Sequence, residues 1–173
     1  MKKIEGKIEV YHAGTEVIER PDCKVGRKNL DFGPGFYLTD IYDQAVNFAR
    51  SKSRDRNLPP IINTYLLDKE SMLQDARWKI FDLYDEDWLE YIVNCRTGKK
   101  SWMDYDYVEG GVADDRVIDT VNLYIQNFVS KETALQNLRY LKPNNQICII
   151  NQDLLNLHLK FTNSIILPDN GVL

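Results

Sequence analysis

Gly33-Pro34-Gly35-Phe36-Tyr37-Leu38-Thr39-Asp40 is the stretch whose reading decides the fold. Two glycines flank a proline, and an aromatic-rich run follows at once. A residue before proline avoids the α region, and glycine permits positive φ or the close approach of another backbone. The pattern predicts a tight turn that delivers a short strand. Strand side chains alternate between two faces, so Phe36 and Tyr37 point in opposite directions.

Upstream, Ile8 and Val10 continue an alternation begun at Ile4, with Lys7, Glu9 and Tyr11 between them. That is a half-buried strand running into His12 and stopping at Ala13-Gly14-Thr15. Glu16 to Asp31 reads as a long polar loop with a short strand near Val25, and loops of that length are often functional. Downstream, Thr39 or Asp40 can cap a helix whose stripe is Ile41, Ala45, Phe48 and Ala49. Pro59-Pro60 stops it near Asn57. Ile61 to Leu67 is a buried strand. Met72 to Asp82 is ambiguous in period, although Trp78, Ile80 and Phe81 favour a strand. Trp88, Leu89, Ile92 and Val93 share a helical face that ends at Gly98. Tyr105 to Val112 is a strand entering the Gly110-Gly111 turn. Val117, Val121, Tyr124, Ile125 and Phe128 make a second helical stripe, and Ser130 with Thr133 caps a helix carrying Ala134, Leu135, Leu138 and Leu141. After a turn at Pro143-Asn144-Asn145 come a strand at Gln146 to Ile150, a helical turn at Asn151 to Leu155, a strand at Leu157 to Leu167 and a frayed tail. Strands and helices do not strictly alternate, so the expectation is one α+β domain spanning residues 1–173.

Composition narrows the function classes. No apolar run approaches the ~20 residues of a membrane helix, and the first residues lack the apolar core of a signal peptide. Cys23, Cys95 and Cys148 are odd in number and widely spaced, and with only two histidines they form no metal-ligand pattern. The expectation is a cytoplasmic protein with reduced thiols, no membrane association and no metal. A net charge of −4 argues against a broad electrostatic grip on nucleic acid. The basic clusters Lys24/Arg27/Lys28, Arg50/Lys52/Arg54/Arg56 and Arg96/Lys99/Lys100 read as solvated surface. Cys148, flanked by isoleucines, reads as core, and no Cys–His spacing supports a hydrolase.

Three features carry chemistry. His12 ends a strand and precedes two small residues and a hydroxyl, where a ligand can lie against the backbone. A backbone amide and carbonyl bind a planar carboxamide at two points, and a histidine beside them can hydrogen-bond a ribose hydroxyl. Tyr37, on a rigid turn, can stack on a flat, electron-poor ring. Gln146 opens a strand and can project into a cleft.

Tyr11-His12-Ala13-Gly14-Thr15, Gly33 to Asp40 and Asn145-Gln146-Ile147-Cys148-Ile149 together resemble the three motifs of ADP-ribosyltransferases of the diphtheria-toxin and poly(ADP-ribose) polymerase kind. More narrowly, Gly26-Arg27, Asp31 to Thr39 and Val108 to Asp115 are similar to an uncharacterised bacterial family related to that fold. The resemblance implies an ADP-ribosyltransferase-like split β-sandwich with peripheral helices that uses NAD as substrate. His12 would contact the adenosine ribose, and the backbone around Ala13, Gly14 and Thr15 would hold the nicotinamide carboxamide. Tyr37, on the Gly35-Phe36-Tyr37 strand, would stack on the nicotinamide, facing the cleft while Phe36 faces the core. Arg27 would bind the diphosphate. Gln146 stands where that pattern has a glutamate, so Glu109, Asp114 and Asp115 become candidates for the missing acid, with a solvated acidic turn as the plainer reading. The implied activity is mono-ADP-ribosylation, toxin-like, of a protein or nucleic-acid acceptor, with an antitoxin-like partner conceivable. The alternatives are an inactive nucleotide-binding or interaction module on the same fold and, ranked lower, an RNA 2′-phosphotransferase.

Overall fold

The alternating stretch before His12 and the aromatic strand after Gly35 end up side by side. A computed structural model describes residues 6–25, 30–141 and 144–168. Arg27, its neighbour Gly26 and the terminal tail beyond Pro168 lie outside the described residues, so the roles expected of them have no structural account. The elements in order are β1 (Lys7–Gly14), β2 (Phe36–Leu38), α1 (Tyr42–Arg56), β3 (Ile61–Asp68), α2 (Lys69–Asp75), β4 (Trp78–Ile80), α3 (Glu86–Arg96), a short 3-10 turn (Ser101–Asp104), β5 (Tyr107–Gly110), α4 (Asp115–Ile125), α5 (Lys131–Leu138), β6 (Gln146–Ile149), α6 (Gln152–His158) and β7 (Leu159–Ile166).

These form a mixed α+β architecture with two sheets. One has the order β1-β3-β7 and is antiparallel; the other has the order β2-β6-β5-β4, with only the β4–β5 pair parallel. An isolated bridge between Tyr11 and Thr39 links β1 to the end of β2. The sheets pack face to face: Val10, Tyr65 and Leu67 of the first meet Phe36, Leu38, Tyr107, Ile147 and Ile149 of the second. On the outer face of the second sheet Val108 and Cys148 are covered by Trp88, Leu89 and Ile92 of α3, Val117 and Val121 of α4, and Ala134 and Leu138 of α5. On the outer face of the first, Tyr11 and Ile62 meet Ala45 and Ala49 of α1. Burying each large side chain in such layers contributes about 1.5–3 kcal/mol.

Several local expectations shift. In α1 the buried positions are Ala45 and Ala49, while Ile41 and Phe48 are 39% and 44% exposed. Close approach of the helix to β1 selects small residues and turns the larger ones outward. The helix does end at Asn57, which takes a left-handed conformation at φ 54°. The ambiguous Met72 to Asp82 splits: the first part belongs to α2, capped by Asp68, whose carboxylate accepts from Ser71 N at 3.1 Å, and only Trp78–Ile80 is strand. Phe128 lies beyond α4 and is 71% exposed, because Asn127 turns the chain at φ 59°. Val25 lies in no strand and is exposed, and β7 begins at Leu159 because α6 runs through Leu157. Among the described residues no helix is long and apolar enough to cross a membrane, and no cluster of three or more His, Cys, Asp or Glu side chains could hold a metal.

Candidate functional site

The site follows from a ladder that stops after one rung. Tyr11 N donates to Thr39 O at 2.8 Å, and Thr39 N donates to Tyr11 O at 3.0 Å. In an antiparallel register the next pair on that edge is Ala13 with Tyr37. The strands separate instead: Ala13 pairs with Ile62 in one sheet, Tyr37 with Cys148 in the other. Alternate residues offer their amide and carbonyl to the same edge of a strand, so Ala13 and Tyr37 direct theirs into the gap. Buried backbone groups require partners, and for the two carbonyls side chains supply them. His12 Nδ1 bonds Tyr37 O at 2.8 Å, and Lys52 Nζ donates to Ala13 O at 2.7 Å.

The first of these bonds sets the tautomer of His12. A carbonyl only accepts, so Nδ1 carries the hydrogen and Nε2 keeps a lone pair. Burial, followed by the positive charge of Lys52, lowers the imidazole pKa to about 4 against the opposing bond to Tyr37 O. His12 is therefore a neutral acceptor at pH 7. Its ring stacks on Phe36, centroids 4.6 Å apart and planes 18° apart. The folded-state pKa lies below the unfolded value near 6.5, so as pH falls from about 6.5 to about 4 the unfolded chain takes up a proton that the native imidazole refuses. The wild type should lose about 2 kcal/mol of stability between pH 7 and 4.5 through this group. Urea unfolding at both pH values checks it: His12→Asn should show a correspondingly smaller loss, and equal losses would contradict the assignment.

Phe36 and Tyr37 take opposite faces. Phe36 is 5% exposed and lies in the layer between the sheets. Tyr37 is half-buried against the helix-covered side, its hydroxyl donating to Gly33 O and accepting from Phe32 N at 3.2 Å. With the hydroxyl committed to the turn, the ring can offer a ligand only its face. Gly33, at φ 86°, makes that turn, and an added Cβ there would also strike Trp102. Arg96 and Asp31 brace it: Arg96 Nε donates to Asp31 Oδ1 at 2.6 Å, and Ala113 N donates to Oδ2 at 3.3 Å. Burial pushes the Asp31 carboxyl up, and Arg96 opposes that shift.

Gln146 sits opposite Gly110 on β5, and the β2–β6 register extended by one residue sets it against Thr39. Its side chain therefore shares a face with Tyr37. Its position is fixed by Asn145, whose carbonyl accepts from Thr39 Oγ1 at 2.7 Å and from Gln44 Nε2 at 3.0 Å. The Asn145 amide also bridges Asp40 at 2.9 Å and Glu109 at 3.0 Å. Glu109 does not join Gln146. Alternation turns it to the opposite face, where it is 6% exposed, paired with Lys69 at 2.7 Å and bonded by the Tyr107 hydroxyl at 2.7 Å. The expected solvated acidic turn is thus, at Glu109, a buried ion pair with the sheet between it and Gln146. Asp114 caps α4 by accepting from Val117 N at 3.3 Å.

The structure brings the backbones of Ala13 and Tyr37 to one gap, with His12 bonded to Tyr37 O; the His12 ring lies in the layer between the sheets, whereas the Tyr37 ring and the Gln146 side chain share the opposite face of the second sheet. Gly14 ends β1, with space for an ordinary Cβ contact 3.7 Å from His12 Nε2. Thr15 is buried, and its hydroxyl has no hydrogen-bond partner among the described residues. Asn63, opposite His12 on β3, pins the following loop by accepting from Ile18 N and donating to Glu16 O, each at 2.9 Å. The sequence reading missed Lys52, Lys69 and Asn145. Lys52 was legible: three residues after Ala49 and seven after Ala45, it lies on the face of α1 toward β1. The thiols offer no nucleophile. Burial pushes Cys23 and Cys95 up to about 11 and Cys148 further, while the imidazoles bond Tyr37 O and Asp75.

A family model described as "Protein of unknown function (DUF3990)" matches residues 8–161. Neither a curated protein nor a solved structure matches the chain.

Proposed function

The chain belongs to the DUF3990 family, and we propose that it is an NAD-dependent mono-ADP-ribosyltransferase built on an ADP-ribosyltransferase-like split β-sandwich. The observation that carries this reading is the interrupted ladder, which leaves Ala13 and Tyr37 directed at each other across a gap. The Ala13 amide and carbonyl suit the two ends of a nicotinamide carboxamide, and the pinned Tyr37 ring suits the face of the pyridinium. The His12 Nε2 lone pair accepts from a ribose hydroxyl. Gln146 donates to the ribose that carries the nicotinamide. As the ribose–nicotinamide bond breaks, positive charge spreads over the sugar, and the acceptor nucleophile bonds to the anomeric carbon and releases its proton. A carboxylate would stabilise that charge; the neutral amide of Gln146 does so less. Single transfer to a protein or nucleic-acid acceptor, in a toxin-like role with an antitoxin-like partner, suits this chemistry better than chain building.

A second reading, NAD or nucleotide binding without turnover, is favoured by one observation: Lys69 already neutralises Glu109 on the far face, so no carboxylate of β5 compensates for Gln146. Labelled NAD and a lysate separate the two. Transfer requires nicotinamide release, reduced at least about tenfold by Tyr37→Ala and increased by Gln146→Glu. Binding by calorimetry with no release leaves only the second reading, and absence of NAD binding removes both.

A further inference from the structure

Lys52 occupies the acceptor that the proposed function assigns to the carboxamide. Its ammonium donates to Ala13 O at 2.7 Å, and its charge is felt at His12. The side chain comes from α1, whose Ala45 and Ala49 pack on the same sheet and hold the lysine stem against the end of β1. A cation here has two consequences. A ligand with a carboxamide alone meets a carbonyl already engaged in a charge-assisted hydrogen bond. A ligand that also carries phosphate offers the ammonium a stronger acceptor, and lysine binds phosphate as a mobile point charge.

We propose that Lys52 is a specificity-determining residue that makes the gap between β1 and β2 select phosphate-bearing nicotinamide nucleotides over nicotinamide compounds that lack phosphate. When such a nucleotide enters, the ammonium trades the Ala13 carbonyl for phosphate oxygens, and the freed carbonyl receives the carboxamide. One side chain thus couples recognition of the anion to opening of the neutral subsite. With nicotinamide riboside no phosphate draws the lysine away, and it remains a competitor. This inference rests on the NAD-binding reading above.

Nicotinamide mononucleotide and nicotinamide riboside differ by one phosphate, so titrating both, together with NAD, into wild type, Lys52→Met and Lys52→Arg tests it directly. Lys52→Met keeps an apolar stem and removes the charge. The mononucleotide should bind it about tenfold more weakly than it binds wild type, with the riboside unchanged or tighter, and Lys52→Arg should keep the mononucleotide preference. Matching thermal unfolding of the three proteins shows that the fold is retained; the ratio of the two affinities within each protein is the readout and is insensitive to a uniform loss of active protein. If wild type binds NAD but Lys52→Met leaves that ratio unaltered, the role of Lys52 is wrong and the NAD reading stands. If wild type binds none of the three, both fall.

Discussion

Lys69→Met should destabilise the protein by about 3 kcal/mol, whereas Glu109→Gln should cost about 1 kcal/mol. The asymmetry comes from burial: the Glu109 side chain is 8% exposed and that of Lys69 is 28%. Losing the carboxylate leaves an ammonium that can turn toward water. Losing the ammonium leaves a carboxylate in the layer between the sheets, with only the Tyr107 hydroxyl and the Asn145 amide, among the described residues, for company. Combining the two changes should therefore recover most of the loss, because a glutamine can still accept from Tyr107. Urea unfolding of the two single variants and the double variant forms the cycle. A Lys69→Met cost within about 0.5 kcal/mol of zero would mean that Glu109 is solvated after all.

Gly35→Ala should be as damaging for a steric reason. A Cβ at that position would lie 2.6 Å from Cys148 Sγ and 2.7 Å from Ile149 O. The second contact is to backbone, so β2 and β6 would have to move apart where Phe36 and Ile149 pair. The expected cost is about 3 kcal/mol, or about 10 °C in the unfolding midpoint of a chain this size. Gly14→Ala is the control. Its Cβ would meet nothing closer than His12 Nε2 at 3.7 Å, so its effect should stay within about 1 kcal/mol. Thermal scans decide between them, and equal midpoints would show that the close approach at Gly35 relaxes without cost.

Where the sequence carried a strong period, the fold was legible. The alternation before His12, the apolar run from Ile61 and the stripes of α3 and α5 each became the expected element, because burial on one face is what a period records. The misreadings have local causes. α2 buries Met72 alone, which leaves no period to see. Phe48 and Phe128 look like core by type, but helix packing and the turn at Asn127 set them outside. Of the candidate site, His12, Tyr37 and Gln146 were visible as types of residue at suggestive spacings. The facing of Glu109 was not, since it depends on the register of β5 against β6, and a single-residue slip reverses it. Lys52 escaped because a charged side chain on a helix reads as solvated until its spacing from the alanines is counted.

The Tyr11–Thr39 bridge has a consequence for how the gap holds its shape. Beyond that rung no ladder fixes the distance from Ala13 to Tyr37, so its width is set by the His12 bond to Tyr37 O together with what separates the two sheets. That spacer is the stack of His12 on Phe36 and of Phe36 against Tyr65, whose centroids lie 5.6 Å apart. A trimmed ring far from any ligand, at Tyr65, would change the aperture as surely as a change at its lip. The aperture is calibrated from behind.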